Sequence, residues 1–425
     1  MNKKEKRVEH LKKVLTAKNI VRERDLNAAI MTQKENSSVS LEEILLDRGL
    51  INQRQFDWIR QMTEIGRLER TLPLVIFIFV VIGVIVGKIF PNLVKAMDSM
   101  QIADIVSIPI AVCLFFMMFP IILQVDFSSI KNIFKFSKLV FTSSFIAWIV
   151  EPAVMFFLAW FFLKKVFASY FPAAVSSEYM AGIILVGIAP CTAMVLLWSY
   201  LARGDLGVTL LLTALNVILI LIIYAPIANF LLGKADIHVP FMTIAICVFM
   251  YVGISLITGY ITRKVLLNKK GKEWYNGKFI PVMKNFSSVA LLITLIVIFS
   301  SKGELIIEMP ATILIIATPI LLEFFIIFSL AYIVMKKLKI KYEYAAPASI
   351  IAASNHFELG IATAVLMFGI NSNPVLATVV VPLIEVPIML GIVRICLRTR
   401  YRFLDGKKKT VNVRPTDGKL SSIGT

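Results

Sequence analysis

Two short stretches inside apolar runs carry groups that can do chemistry. In the first, GIAPCTAMVLLWS over residues 187–199, Cys191 stands between Pro190 and Thr192. Proline removes a backbone donor and disturbs the preceding helical turn, which leaves carbonyl groups free beside the thiol. A thiolate is a soft ligand that binds soft or thiophilic partners. We therefore expect these three residues to bind a thiophilic solute; the alternative is that Cys191 is a small buried apolar residue.

The second stretch, AASNHFELGIA over residues 352–362, carries four polar groups in succession. Ser354 and Asn355 offer neutral donors and acceptors, which suit a small hydroxylated solute. Histidine is the side chain best suited to exchange a proton at physiological pH, so His356 is a candidate for proton coupling; a satisfied histidine that faces a water-filled cavity fits equally well. A carboxyl at mid-membrane, such as that of Glu358, is costly as an anion and is therefore a candidate proton carrier.

Further polar residues lie inside other apolar runs. Glu385 precedes Pro387 in LIEVP and is a second candidate for proton coupling. Asn216 is a candidate substrate ligand, with a hydrogen bond between helices as the alternative. Glu151 and Glu323, in the third run of each half, are interpreted as structural acids that are protonated or paired.

Positioning both stretches requires helices that cross a membrane. The chain is 58% hydrophobic and 17% charged, with a mean hydropathy of +0.81, which lies far outside the usage of soluble proteins. A helix needs about 20 apolar residues to cross about 30 Å of hydrocarbon. Runs of this length predict an all-α membrane protein with ten spans, at 72–90, 103–123, 139–162, 180–200, 207–232, 240–261, 279–300, 311–334, 345–368 and 375–397.

The basic residues of the loops predict that both termini are cytoplasmic, in a cell membrane. The loops after the second, fourth, sixth and eighth spans carry most of them, for example Lys131, Arg203, Lys270 and Lys337. The net charge of +18 follows from this bias and favours contact with anionic lipid. Because the charges are scattered over loops and not gathered on one folded face, we do not expect nucleic-acid binding.

The two chemical stretches occupy corresponding places in two halves of the membrane region. Tyr179 precedes the segment 189–191 by the same interval by which Tyr344 precedes the segment 354–356. With five spans in each half, the second copy enters the membrane from the opposite side. The pattern predicts two inverted five-helix repeats with broken fourth and ninth helices, as in secondary transporters.

Residues 1–71 differ in composition from the rest and contain an internal repeat. The segments 10–33 and 40–63 align, with Asn19 matching Gly49 at the expected end of a short helix. The pattern resembles the tandem helical N-terminal domain of type II secretion and pilus ATPases, some of which bind cyclic di-GMP. We expect a cytoplasmic helical domain at 1–71 with a protein or nucleotide ligand, the transporter domain at 72–397 and a basic, disordered cytoplasmic tail at 398–425.

Four motifs carry a more specific resemblance. Four segments follow one another in order: GIAPCTAMVLLWSYLARGD in the fourth run, GKEWYNGKFIP in the loop that leads into the seventh run, SNHFELGIATAVLMFGINS in the ninth and PLIEVPIML in the tenth. Over residues 72–397 the chain therefore resembles the ACR3-type arsenite efflux permeases of the bile-acid/arsenite transporter superfamily. The resemblance implies export of arsenite, and of its antimony analogue, in exchange for protons, which confers arsenic resistance. It further implies an essential thiol at Cys191, which contacts the metalloid, and carboxylates at Glu358 and Glu385.

The chain departs from that family at two site positions. His356 replaces the asparagine of the more usual SNNFELA, and Glu151 stands where many members have a small residue. The alternative transporter is a sodium-coupled organic-anion symporter of the bile-acid type. A membrane sensor is a further alternative.

No enzymatic activity, cofactor or metal cluster is expected, because no Ser/His/Asp set or metal-ligand spacing is present. A disulfide framework is not expected either, since the cysteines show no CxxC spacing and lie in or beside the spans. The cysteines other than Cys191 are interpreted as buried apolar residues, at Cys113, Cys247 and Cys396.

Overall fold

The computed structural model is mainly helical in the part of the chain that it describes. That part comprises residues 12, 15–16, 21–35, 41–51, 67–92, 100–102, 106–124, 136–192 and 194–403. Most of the tail 398–425 and parts of both N-terminal repeats therefore lie outside the described residues. The domain division made from the sequence stays a prediction.

The described N-terminal residues form a small core of their own. Two helices, α1 (Glu23–Glu35) and α2 (Leu41–Asp47), pack against each other. Gly49 follows α2 with a φ of 66°, and the N–H of Leu50 donates to the carbonyl of Leu45 at 2.9 Å. This is the left-handed cap expected at that glycine. The core combines matched apolar positions of both repeats, namely Leu15, Val21 and Leu26 with Leu41, Leu45 and Ile51.

Long apolar helices make up the rest of the described chain. Five helical stretches are long and apolar enough to cross a membrane: Ser137–Val166, Leu206–Lys234, Phe241–Ser300, Pro310–Lys337 and Asn373–Arg402. In chain order the helices are α3 (Arg67–Ile89), α4 (Ile108–Gln124), α5 (Ser137–Val166), α6 (Ala173–Val186), α7 (Val195–Leu201), α8 (Leu206–Lys234), α9 (Phe241–Val248), α10 (Ile254–Trp274), α11 (Ile280–Glu308), α12 (Pro310–Lys337), α13 (Tyr342–Ala352), α14 (Phe357–Phe368) and α15 (Asn373–Thr399). A two-residue hairpin, β1 (Gln101–Ile102) with β2 (Val106–Ser107), precedes α4.

These helices confirm the all-α membrane class, and each predicted span overlaps at least one of them. The count of ten spans and the inverted layout stay predictions. The helices also differ from the expected loops at one place, because α10 stays helical up to a kink at Gly271, through the first part of the basic segment predicted to join the sixth and seventh spans. Lysine and arginine are good helix formers whose charged ends reach water. The chain turns instead at Gly271, where φ is 76° and ψ is 165°.

The helices form two groups by their packing. In one group, α11 packs against α3 and α4, and α4 packs against α10. Gly83 and Gly87 of α3 allow this close approach, since a Cβ on Gly83 would lie 3.2 Å from the Cα of Ile296 on α11. The second group contains α5 to α8 and α12 to α15. All the candidate site residues lie in this second group.

Two predicted spans of the second group are broken. The fourth run divides into α6 and α7 between Val186 and Val195, and the ninth divides into α13 and α14 between Ala352 and Phe357. Gly187 ends α6 and Pro190 lacks an amide donor, so the first helix cannot continue regularly. At the second break His356 caps α14 by accepting from the N–H of Leu359. The structure thus confirms both predicted breaks.

Candidate functional site

The two breaks cross each other, and their backbones pair. Pro190 and Asn355 form an antiparallel bridge. The N–H of His356 donates to the carbonyl of Ala189 at 2.8 Å, and the N–H of Cys191 donates to the carbonyl of Ser354. Within hydrocarbon, backbone groups outside a helix must find partners in the protein. Each break therefore satisfies the other, which brings the two predicted chemical stretches to one point.

The groups at the crossing are closed off from solvent. Cys191, Thr192, Ser354 and Asn355 are all 0% exposed. His356, Glu358 and Glu385 are each 1% exposed, and hydrogen bonds connect them to this crossing. The structure thus brings together eight of the nine predicted site residues. The closed crossing is an occluded site, which can open to one side only if the surrounding helices move.

A relay of side chains runs from the first break to the second. Thr192 Oγ1 lies 3.2 Å from His356 Nε2, and His356 Nδ1 lies 3.0 Å from Glu358 Oε2. A neutral imidazole has one donor and one acceptor nitrogen, so a proton on Glu358 and a proton on Nδ1 are two states of the same contact. Thr192 Oγ1 also lies 3.6 Å from Met118 Sδ, which accepts a hydrogen bond from the hydroxyl. The relay can therefore hold a proton on either side of the ring.

The other two polar residues of the second break each donate to a carboxylate. Ser354 Oγ donates to Glu385 Oε1 at 2.7 Å, and Asn355 Nδ2 donates to Glu323 Oε2 at 2.9 Å. Glu385 lies on α15 and Glu323 on α12. The second break thus contacts three carboxyls through three successive side chains. Sequence reasoning missed the contact with Glu323, whose only signal was a carboxyl in an apolar run.

Several acceptor oxygens around the crossing have no donor in the described part of the chain. They are Glu358 Oε1, Glu385 Oε2, Glu323 Oε1 and Asn355 Oδ1. A buried acceptor without a donor costs about 1–3 kcal/mol. Hydroxyl groups of a bound solute or added protons would supply the missing donors. The site is thus suited to a neutral, hydroxylated solute and to protons.

Asn216 is the predicted site residue that makes its contact elsewhere. It is buried on α8, and its Oδ1 accepts a hydrogen bond from Trp148 Nε1 of α5 at 3.1 Å. This is the helix-to-helix contact that the sequence left open as the alternative. Its role as a substrate ligand stays a prediction.

Comparison with known proteins identifies the class of this chain. A family model described as the sodium bile acid symporter family matches residues 111–309. An uncharacterized transporter of Synechocystis sp. is 43% identical over 353 residues, which cover 81% of this chain and 92% of that protein. The arsenical-resistance protein Acr3 of Alkaliphilus metalliredigens is 40% identical over 339 residues, which cover 80% of this chain and 95% of that protein. The Acr3 protein of Corynebacterium glutamicum is 32% identical over 339 residues, covering 78% and 89%.

The chain belongs to the Acr3-type transporters of the bile acid symporter family. It is therefore a multi-pass membrane transporter. The paired breaks of this chain lie where two discontinuous helices meet. In secondary transporters this is the usual place of a solute site.

Proposed function

We propose that this protein exports arsenite, and antimonite by the same chemistry, from the cytoplasm in exchange for protons, and so confers arsenic resistance. The observation that carries the proposal is the buried thiol of Cys191 at the crossing, opposite three polar side chains that contact carboxyls. The names of the two Acr3 relatives support the choice of solute.

The thiol suits arsenite because sulfur and arsenic(III) are both soft. Arsenite is the neutral acid As(OH)3 near pH 7. When the S–As bond forms, the thiol proton and one arsenite hydroxyl leave together as water, and the reverse step uses that water to release the solute. One S–As bond leaves the remaining hydroxyls free to donate to the acceptor oxygens around the crossing. A single thiol holds the solute reversibly, as a carrier requires.

The proton enters through the relay in the proposed cycle. With the crossing open to the cytoplasm, Cys191 and its polar neighbours bind arsenite. Opening to the outside releases the solute, and a proton then reaches Glu358, with His356 and Thr192 as its hydrogen-bonded neighbours. Glu385, held by Ser354, is the second proton-coupling carboxyl. The protonated carrier then opens to the cytoplasm again and releases the proton there. In this orientation both chain termini lie in the cytoplasm.

Everted membrane vesicles test the role of the thiol. Vesicles with the unchanged protein should accumulate arsenite, and Cys191→Ala vesicles should not. Cys396→Ala is the matched control, because Cys396 is a buried cysteine near the end of α15 and remote from the crossing in sequence. Accumulation by Cys191→Ala at the unchanged rate would show that the thiol does not bind the solute.

A second candidate function is sodium-coupled uptake of an organic anion, favoured by the description of the family that matches residues 111–309. It predicts transport that stops when choline replaces sodium. Arsenite transport that continues without sodium and follows the proton gradient would exclude this candidate.

We further propose that residues 1–71 form a cytoplasmic domain that binds a protein or a nucleotide. The support is the separate small core that both repeats share. Since α3 begins at Arg67, a deletion of residues 1–66 leaves the membrane helices whole. The shortened transporter should keep arsenite efflux, whereas a sensor that signals through this domain would lose its output.

A further inference from the structure

Two carboxyls outside the relay are buried on neighbouring helices. Glu151 lies on α5 and Glu323 lies on α12, and these helices pack against each other. Both side chains are 0% exposed, and the carboxyl of Glu151 lies within electrostatic range of that of Glu323. The site described above uses only one oxygen of Glu323 and nothing of Glu151.

Hydrogen bonding leaves this pair without the donors that an anion needs. Neither oxygen of Glu151 has a donor among the described residues, and Glu323 has one donor, on Oε2 only. An unpaired buried carboxylate costs several kcal/mol, and a second negative charge beside it adds to the cost. A protonated carboxyl brings its own O–H donor. A neutral form of at least one of the two groups would remove this cost.

Asn355 is an independent indication that a proton belongs here. Its side chain is 0% exposed and its Nδ2 donates to Glu323, while its Oδ1 has no donor in the described part of the chain. A proton on Glu323 supplies that donor, because the O–H of the acid can donate to Oδ1 once the amide turns. The backbone of Asn355 pairs with Pro190, next to Cys191. A proton on Glu323 thus changes the hydrogen bond between the second break and α12.

We propose that Glu151 and Glu323 bind one proton between them and that this proton sets the orientation of Asn355 at the crossing. The pair is a second proton site, additional to the relay of Thr192, His356 and Glu358. The inference rests on the exchange of arsenite for protons proposed above, and it assigns two further residues to the binding of a proton. Glu151 and Glu323 would touch the proton, whereas Asn355 acts as a positioning residue.

The charged groups of the described residues around the pair are mainly further carboxyls. Glu385 of α15 and Glu358 of α14 are the other buried acids at the crossing. The nearest lysines along the two helices are each 13 residues away, which is about 20 Å of helix: Lys138 and Lys164 on α5 and Lys336 on α12. The other titratable residues on α5, α6, α12, α13 and α15 lie nearer the helix ends: Lys165, Glu178, Tyr179, Tyr332, Lys337, Tyr342, Glu343, Tyr344, Arg394, Cys396 and Arg398.

Calorimetry of the purified full chain in detergent tests the proposal, with arsenite as the probe. Titrations in two buffers of different ionisation enthalpy give the number of protons exchanged per arsenite bound. Glu151→Gln and Glu323→Gln should still bind arsenite and should exchange fewer protons, by up to one. Glu178→Gln, an exposed acid that accepts from Asn373, is the matched control and should equal the unchanged protein.

A proton count that is unchanged in both variants would overturn the second site while leaving arsenite transport intact. A count that depends on sodium concentration would also overturn it, in favour of a cation site. Absence of arsenite binding by the unchanged protein would refute the proposed function. Infrared spectroscopy would then be the test of the proton on Glu151 and Glu323.

Infrared spectroscopy reads the pair without any solute and without requiring the variants to transport. The unchanged protein at neutral pH should show the carbonyl stretching band of a protonated carboxylic acid. The double variant Glu151→Gln, Glu323→Gln should lose part of that band, and Glu178→Gln should keep all of it. A double variant that keeps the full band, or an unchanged protein that lacks it, contradicts the proposal.

Discussion

The first and the second break meet at one point but carry different chemistry. The first contributes a thiol and a hydroxyl, and its main contacts with the second are backbone hydrogen bonds. The second contributes an amide, a hydroxyl and an imidazole, each within hydrogen-bonding distance of a different carboxyl. A soft ligand binds the arsenic atom, whereas oxygens bind its hydroxyl groups or protons. We propose that the first break captures the solute and that the carboxyls at the second break handle protons.

The largest expected effect follows from removing the thiol. Cys191→Ser keeps the size of the side chain but replaces the soft ligand with a hard one. Arsenite efflux from whole cells should fall by at least about tenfold, which corresponds to about 1.4 kcal/mol of lost binding. Efflux assays with radioactive or mass-detected arsenite measure it. Nearly normal efflux by Cys191→Ser would contradict the assignment of solute capture to the first break.

The second effect separates transport from its coupling. Glu358→Gln keeps an acceptor for His356 but no longer binds a proton. We expect arsenite to exchange across the membrane when arsenite is present on both sides, and net efflux to lose its dependence on external pH. Transport of labelled arsenite at a series of external pH values measures both. A pH dependence equal to that of the unchanged protein would show that the transported proton does not bind to Glu358.

A third effect concerns how closely the broken helices pack. A Cβ on Gly360 of α14 would lie 2.7 Å from Val186 Cγ2 of α6. Gly360→Ala should therefore destabilise the protein by about 1–3 kcal/mol through overpacking. Gly391→Ala is the matched control, since its Cβ would meet nothing within 4 Å, and it should stabilise α15 by up to about 1 kcal/mol. Thermal unfolding in detergent compares them, and equal melting temperatures would contradict the close packing.

The smallest effect decides what Asn216 does. Trp148→Phe and Asn216→Leu remove the same hydrogen bond, which in membrane proteins is worth about 0.6 kcal/mol on average. If Asn216 is only a packing residue, both variants should lose similar stability and keep the Michaelis constant for arsenite. A raised constant in Asn216→Leu alone would make it a substrate ligand and extend the solute site beyond the first break.

The sequence was sufficient to locate both breaks, and it could not show what each side chain contacts. Pro190 and the run from Ser354 to His356 interrupt apolar helices, and such interruptions are visible in composition. The hydrogen bond from Asn355 to Glu323 depends on how α12 is rotated against α13, which an apolar run does not encode. The extension of α10 was missed for a related reason, because lysines were assigned to a loop although they also favour helix.

Proton flux driven by arsenite in proteoliposomes tests the account most directly. A pH-sensitive dye inside the vesicles reports protons while an arsenite gradient is imposed. The unchanged protein should move protons against the direction of arsenite, Glu358→Gln should move arsenite with little proton flux, and Cys191→Ala should move neither. Proton flux in response to arsenite through Cys191→Ala, or arsenite transport without protons through the unchanged protein, would contradict the assignment of the two breaks.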